Sequence, residues 1–333
     1  MKLQILVPQY NENEDVIKGL LDSLVPQQGI DFNDLEVLIG NDGSDTKLSE
    51  AFLLGYEPWT CYPFNIKYFE FEHEGVAATR QKLFEKVTAQ YVMYCDADDM
   101  FLSNIALFTI FKYADIGFDL LICDFLEELV SKQTGKLDYF LHKKDMTFIH
   151  GKVFRREFLV DNKIRWYHEM NAHEDNAYNM AVNAFTDNIK YCDKPMYLWR
   201  WRADSICRSD PDYVLKTYPS VIYGNALLIL DLVNQDRVKL AEMQVCNLVY
   251  TVYYTLNKAM WLDANSVQYR DEVERWFRRY FDRHKALFDR IESPIKSKII
   301  ATAKQKSIQE GVLSEKYTFD EWIKHIESIE LED

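Results

Sequence analysis

Asp96, Asp98 and Asp99 place three carboxylates within four positions, directly after the apolar run Tyr91-Val92-Met93-Tyr94-Cys95. A short apolar run of this kind predicts a buried strand. A strand that ends in carboxylates delivers them to the C-terminal edge of its sheet, where open α/β sheets bind ligands. Carboxylates this close repel one another unless a cation or hydrogen-bond donors intervene. Hard oxygen donors suit Mg2+ or Mn2+, ions that commonly bridge to phosphates. The competing reading is local: Asp98 or Asp99 caps a helix beginning near Leu102.

Further polar clusters carry compatible chemistry. Asn41-Asp42-Gly43-Ser44-Asp45 is a strong turn signal after an apolar run. A carboxylate there, such as Asp42, can pair with a base or a ribose hydroxyl. Arg80 can pair with a diphosphate or with one of the aspartates, or be an ordinary surface residue of a helix. A metal held by Asp98 would neutralise a leaving phosphate. His173-Glu174-Asp175 precedes a helical pattern, so Asp175 is either its cap or a general base for an acceptor hydroxyl. His168, His173 and Asp175 match no standard zinc spacing. Ser205 with Arg200, Arg202 and Arg208 makes a basic loop, either a flap over a diphosphate or a solvated turn. The chain has no G-x-G-x-x-G and no G-x-x-x-x-G-K-[ST], which argues against a dinucleotide enzyme or a P-loop NTPase.

The elements that must position these residues follow from periodicity. Strands are expected over Leu3 to Val7, Leu35 to Ile39, Ile66 to Phe71 and Tyr91 to Cys95. Helices are expected over Glu12 to Leu24, capped by Asn11 or Asn13, and from Gly75 to about Val87. This alternation predicts a parallel sheet with helices on its faces and all the polar clusters at one edge. Beyond it come a helix over Leu102 to Tyr113, a strand over Leu120 to Glu127, a short apolar piece over Phe148 to Phe154 and a helix over Asn176 to Ala184. Lys190 to Arg202 reads as a strand whose Pro195 suggests an edge position. From about Pro211 the spacing is helical over Val214 to Leu232, Lys239 to Leu262, Val267 to Ile291 and Ile295 to Gln309. The expected division is residues 1–210 and a helical region, 211–333, for acceptor recognition or oligomerisation, whose exposed faces can make a homodimer.

Composition sets outer limits. The 333 residues are 48% hydrophobic and 14% aromatic, enough for a substantial core. A net charge of −14 weighs against a nucleic-acid binder that relies on a general basic field. The N-terminal apolar run is too short for a secretory signal, and no stretch reaches membrane-spanning length. The six cysteines are scattered without a Cys-x-x-Cys, so reduced thiols in a cytoplasmic protein are expected. Val273 to Ile291 mixes aromatics with cations. It reads as an amphipathic helix with aromatics in the core, as a peripheral contact with the inner face of a membrane, or as a contact with a polyanionic acceptor such as a teichoic acid or DNA.

In order along the chain, Val7-Pro8-x-Tyr10-Asn11, Asn41-Asp42-Gly43-Ser44-Asp45, Gly75-Val76-Ala77-Ala78-Thr79-Arg80, Asp96-Ala97-Asp98-Asp99 and Glu174-Asp175 resemble the family 2 glycosyltransferases of GT-A fold. The resemblance covers roughly residues 1 to 208. It implies transfer of a sugar, with inversion, from a nucleotide-diphosphate donor, usually a UDP-sugar, to a hydroxyl of a glycan, glycolipid or teichoic-acid-type polymer. By the same resemblance Pro8, Tyr10 and Glu12 line the nucleotide pocket, Asp42 contacts the uracil and Arg80 sits near the base or diphosphate. Asp96 and Ala97 lie on the ribose side, Asp98 is the best metal ligand with Asp96 beside it, and Asp175 is the catalytic base. Arg202 and Ser205 resemble the mobile segment that follows the base. Two departures stand out: Asn41 where the family commonly has Asp, and Gln81 where it commonly has Asn. The Gln-x-x-Arg-Trp signature of processive synthases is absent, which implies one sugar per event. Two alternatives are the same chemistry on hydroxymethylated pyrimidines in phage-type DNA, and a non-catalytic protein that only binds sugar nucleotides.

Overall fold

The computed structural model describes residues 1–54, 62–131, 133–202, 205, 210–310 and 317–331. The chain divides into two compact units, Met1–Ser205 and Ile206–Asp333. Arg208 of the basic loop and two of the six cysteines, Cys61 and Cys207, lie outside the described residues.

The first unit is built on β1 (Leu3–Gln9), β2 (Leu35–Asp42), β3 (Asn65–Phe71), β4 (Tyr91–Tyr94), β5 (Met100–Phe101), β6 (Leu120–Val130), β7 (Leu137–His142), β8 (Lys152–Arg155) and β9 (Ile189–Trp199). Its helices are α1 (Glu14–Leu24), α2 (Glu50–Leu54), α3 (Val76–Phe84), α4 (Ala106–Ile116), α5 (Arg156–Asp161) and α6 (Glu174–Phe185). Among the described residues the nine strands form one sheet in the order β3-β2-β1-β4-β8-β6-β9-β5, with β7 paired to β6.

β1 to β4 are mutually parallel, as the alternation of apolar runs and helical patterns predicts. β1 and β2 are buried along their whole length, which is why they read as continuous apolar runs. α1 covers one face with Ile17, Leu20, Leu21 and Leu24. Their i, i+3, i+4, i+7 spacing is the helical signature, and Asn13 closes the first turn by accepting from the Val16 N–H at 3.1 Å. α3 packs so closely on β2 that a Cβ at Gly40 would lie 2.9 Å from the Leu83 side chain.

Three local expectations are corrected. No helix begins near Leu102: Met100–Phe101 pairs with β9 as β5, and α4 starts at Ala106 with Ile105 at its N-cap. Asp98 and Asp99 therefore cap no helix. β9 is not a free edge either. It lies between β6 and β5, and Pro195 is tolerated because it falls at a register shift opposite Asp124, outside the two residues that β5 pairs. Asp175 does not cap α6, because His173, with φ 58°, occupies the N-cap.

The second unit consists of α7 (Tyr213–Asn234), α8 (Val238–Leu256), α9 (Ala259–Leu262), α10 (Val267–Asp289), α11 (Ser293–Glu310) and α12 (Phe319–Ser328). The aromatics Phe277, Tyr280, Phe281 and Phe288 of α10 are buried, as the core reading of that stretch expects, while Trp276 is exposed. α12 is not foreseen by the spacing. A reciprocal capping box between Thr318 and Glu321 starts it, and Trp322 packs 5.0 Å from Phe277.

Candidate active site

The C-terminal ends of β1, β2 and β4 bring the polar clusters to one edge. At β2, Asp42 is buried and both its carboxylate oxygens are engaged. Oδ1 accepts from the Glu74 N–H and Oδ2 from the Gly75 N–H, each at 2.9 Å, and His73 Nδ1 lies 2.9 Å from Oδ2. Asp42 thus anchors the turn that leads into α3. Gly43, with φ 69°, permits this closure, because a Cβ there would sit 2.8 Å from the His73 nitrogen. The anchored His73 ring stacks on Tyr10, with centroids 4.3 Å apart. Tyr10 is 49% exposed, so it offers a second flat surface to solvent. Asn41, the departure from the usual Asp, accepts from the Ser44 N–H at 2.8 Å, a role an amide oxygen fills without charge.

Pro8 lies beside Gly40 in the sheet register. Glu12 accepts from the Tyr10 N–H at 2.6 Å. Burial pushes its carboxyl up, against the pull of that hydrogen bond, and the charge of Asp98 adds to the rise.

Arg80 is the pivot of the site. Far from being a surface helix residue, it is buried, with Nη1 donating to Glu174 Oε1 at 2.9 Å and Nη2 to Asp96 Oδ1 at 2.7 Å. Its guanidinium lies 4.8 Å from the Trp166 ring centre. Burial alone would lower the guanidinium, but Asp96, Glu174 and Asp175 together raise it. Trp166 itself stacks on Tyr178 of α6 at 4.2 Å and meets Tyr94 of β4 edge-on at 5.0 Å. The Trp166 backbone N–H donates to Gln81 Oε1 at 3.0 Å, so the second departure from the family pattern also has a structural role.

The three aspartates separate into distinct environments. Burial raises Asp96, but Arg80 outweighs it, and the net shift is downward. Asp98 is pushed up by burial and then by the charge of Asp96, with Arg202 opposing; Arg202 Nη1 stands 3.3 Å from Asp98 Oδ2. Asp99 is fully buried. It accepts from Tyr197 Oη at 2.5 Å and from the Arg200 N–H at 2.9 Å, and burial holds its carboxyl well above the ordinary range. Ala97, between the half-buried Asp96 and Asp98, is buried. Ligand atoms of Asp96, Asp99 and His150 lie within 4.8 Å of one another. His150 is buried among aromatic rings, which pushes it down to about 4.

Asp175 stands in the first turn of α6, next to the Glu174 that Arg80 holds. Burial pushes its carboxyl up to about 7, and the charge of Glu174 adds to this, while Arg80 opposes. A carboxylate poised there accepts a proton near neutral pH far more effectively than one at the ordinary value. Ser205 adjoins this edge through its N–H, which donates to the Arg202 carbonyl at 3.3 Å.

Sequence reasoning brings Asp42, Arg80, Asp96, Asp98 and Asp175 into view but misses Trp166, Tyr197, His150 and His73. Trp166, Tyr197 and His150 lie in no polar cluster, and His73 sits between Glu72 and Glu74 just past the strand expected over Ile66 to Phe71. Tyr197 reaches Asp99 across 98 residues of sequence, and no local spacing encodes that contact.

Residues 4–173 match the profile described as Glycosyl transferase family 2. A teichoic acid poly(glycerol phosphate) polymerase of Staphylococcus epidermidis is 29% identical over 208 residues, 59% of this chain and 28% of its own length. The putative glycosyltransferase EpsH of Bacillus subtilis is 23% identical over 224 residues, 61% of this chain and 62% of its own. The chain therefore spans less than two thirds of each of these relatives. Among solved structures, residues 1–349 of S. aureus TarS in complex with UDP-GlcNAc superpose with a TM-score of 0.60 at 18% identity, over 93% of both chains. That likeness shows a shared GT-A fold, and the family profile spans just over half of this chain; the chain belongs to glycosyl transferase family 2.

Proposed function

We propose that this protein moves one sugar per event from a UDP-sugar to a hydroxyl of a teichoic-acid-type polymer, with inversion at the anomeric carbon. The observation that carries the chemistry is the place of Asp175 in the first turn of α6, next to the Glu174 that Arg80 links to Asp96; burial, which raises its carboxyl to about 7, agrees with it. In this reading Asp175 takes the acceptor hydroxyl's proton as its oxygen attacks the anomeric carbon and the bond to the diphosphate breaks. A single in-line displacement needs one base and one stabilised leaving group, which matches the residues present. The donor class is supported by the UDP-GlcNAc bound to TarS, and the acceptor class by the polymerase relative. The stacked Tyr10 and His73 rings suit a nucleobase, and Glu12 and Asp42 belong to the same pocket.

Asp96 and Asp98 fit a divalent cation, Mn2+ or Mg2+. Asp98 is raised in part by the charge of Asp96, a repulsion that a dication between hard oxygen donors relieves. Asp99 fits less well, since Tyr197 and Arg200 already use both its oxygens. When bound, the cation supplies charge neutralisation for the leaving diphosphate. In this reading Arg202, which meets Asp98, turns toward that diphosphate together with Ser205.

The test is transfer of radiolabel from a panel of UDP-sugars, UDP-GlcNAc included, to poly(glycerol phosphate) with Mn2+ or Mg2+. Label in the polymer supports the reading. Label released only as free sugar from every donor removes the polymer as acceptor, and no turnover of any donor removes catalysis.

A further inference from the structure

Lys152 is the first residue of β8, and it is fully buried. Its Nζ donates to the Phe148 carbonyl, and Asp145 Oδ1 stands 3.6 Å away. An ammonium taken out of water with so few partners is costly to keep. The turn it meets does not require it. Asp145 Oδ1 already closes that turn by accepting from the Thr147 and Phe148 N–H groups, each at 2.8 Å.

A second side chain reaches the same carbonyl. Asn179 of α6 is buried, and its Nδ2 donates to the Thr147 carbonyl at 2.8 Å and to the Phe148 carbonyl at 3.0 Å. Lys152 and Asn179 thus converge on one oxygen, which would keep a donor even without the lysine. Asn179 follows Asp175 by four residues, so the two share a face of α6 one turn apart. The ammonium is therefore delivered beside the face that carries Asp175. The electrostatics agree with this placement. Burial pushes Lys152 down to about 8, while Asp145 and then Asp175 favour its charged form, so the ammonium predominates at neutral pH. Lys152 in turn opposes the rise that burial and Glu174 impose on the Asp175 carboxyl. The other titratable groups facing the pair are Cys123 and His150 beside Lys152, and Glu174 and Arg80 beside Asp175.

We infer that Lys152 is the positioning residue of the base: pinned on the carbonyl that α6 also grips, its buried ammonium faces Asp175 and favours the carboxylate that receives the acceptor's proton. Fully buried, it acts through Asp175 and not on the substrates. This rests on Asp175 being the base proposed above.

The test uses the full chain with Lys152→Gln, which keeps a donor for the Phe148 carbonyl but loses the charge, and Lys152→Arg, which keeps the charge. Two profiles are read between pH 5 and 9. One is the initial rate of transfer from UDP-GlcNAc to poly(glycerol phosphate). The other is the melting-temperature difference between each protein and the same protein carrying Asp175→Asn. In the wild type both should have their midpoint near 7. Lys152→Gln is expected to move both midpoints up by roughly 0.5–1 pH unit, lowering the rate at pH 6 by about three- to tenfold, with the loss shrinking toward pH 9. Lys152→Met, which lacks both the charge and the donor, should move them alike, and Lys152→Arg should keep the wild-type midpoints. A lysine that only braces the turn would slow Lys152→Gln equally at every pH and leave both midpoints in place; that result overturns the inference. So does a midpoint moved as far by Lys152→Arg as by Lys152→Gln. A melting midpoint that moves in Lys152→Gln, in a protein that turns over no UDP-sugar or keeps its full rate with Asp175→Asn, leaves the coupling of the two side chains standing and sinks the base.

Discussion

Replacing Asp175 with Asn removes the proposed base and should also stabilise the protein at alkaline pH. The two effects share one cause. The carboxyl moves from an ordinary 3.8 to about 7 on folding, chiefly through burial. A tenfold change in proton affinity corresponds to about 1.4 kcal/mol, so ionising this group in the folded state costs roughly 4 kcal/mol more than in the unfolded chain. The sign follows from proton counting. Below pH 3.8 both states hold the proton and Asp behaves like Asn. Between that point and about 7 the folded state binds more protons, so wild-type stability falls as pH rises. Above about 7 the loss is complete. Asp175→Asn should therefore match the wild type in melting temperature near pH 4 and exceed it by roughly 8–16 °C at pH 8, at about 2–4 °C per kcal/mol for a unit of this size. Transfer should drop by a factor of about 10²–10⁴, the contribution typical of a positioned base. The wild type should show an acid limb with its midpoint near 7. Paired melting curves across pH and initial-rate profiles measure both quantities. Near-full activity in Asp175→Asn, or a rate independent of pH between 5 and 8, refutes the assignment; a melting difference that does not vary with pH refutes the burial argument.

Further outcomes follow from the same geometry. Arg80→Lys keeps the charge but cannot bridge Glu174 and Asp96 with one planar fork, so turnover should fall while the unit remains folded, as circular dichroism and kcat measurements will report. Trp166→Phe retains a ring face beneath Arg80 and should cost about 1 kcal/mol in urea unfolding, whereas Trp166→Ala should cost about 3–5 kcal/mol; a neutral Trp166→Ala contradicts the packing described. Asp98→Asn should raise the metal concentration needed for half-maximal rate and leave the fold intact, and an unchanged metal titration would move the ligand elsewhere.

Much of the first unit is legible in the sequence because its central strands are buried on both faces and its helices carry wide apolar stripes. Leu35 to Ile39 and Tyr91 to Cys95 announce themselves as strands, and the clusters after them fall at one edge by topology alone. The errors have a common origin. Met100 and Phe101 join the sheet only because β9, nearly a hundred residues away, is there to receive them, so the helix expected from Leu102 starts later. Asp99 looks like a cap in sequence, yet Tyr197 and Arg200 claim it. Arg80 reads as solvated from its neighbours alone, while its burial depends on Trp166 and Glu174. Hydrogen bonds and ring contacts between distant segments leave no local pattern, and the site is where such contacts concentrate.

The central claim is a single displacement with Asp175 as base. Proton NMR of the glycosylated product formed from an α-linked UDP-sugar tests it most directly. The account predicts a β-linked product. An α-linked product would contradict it.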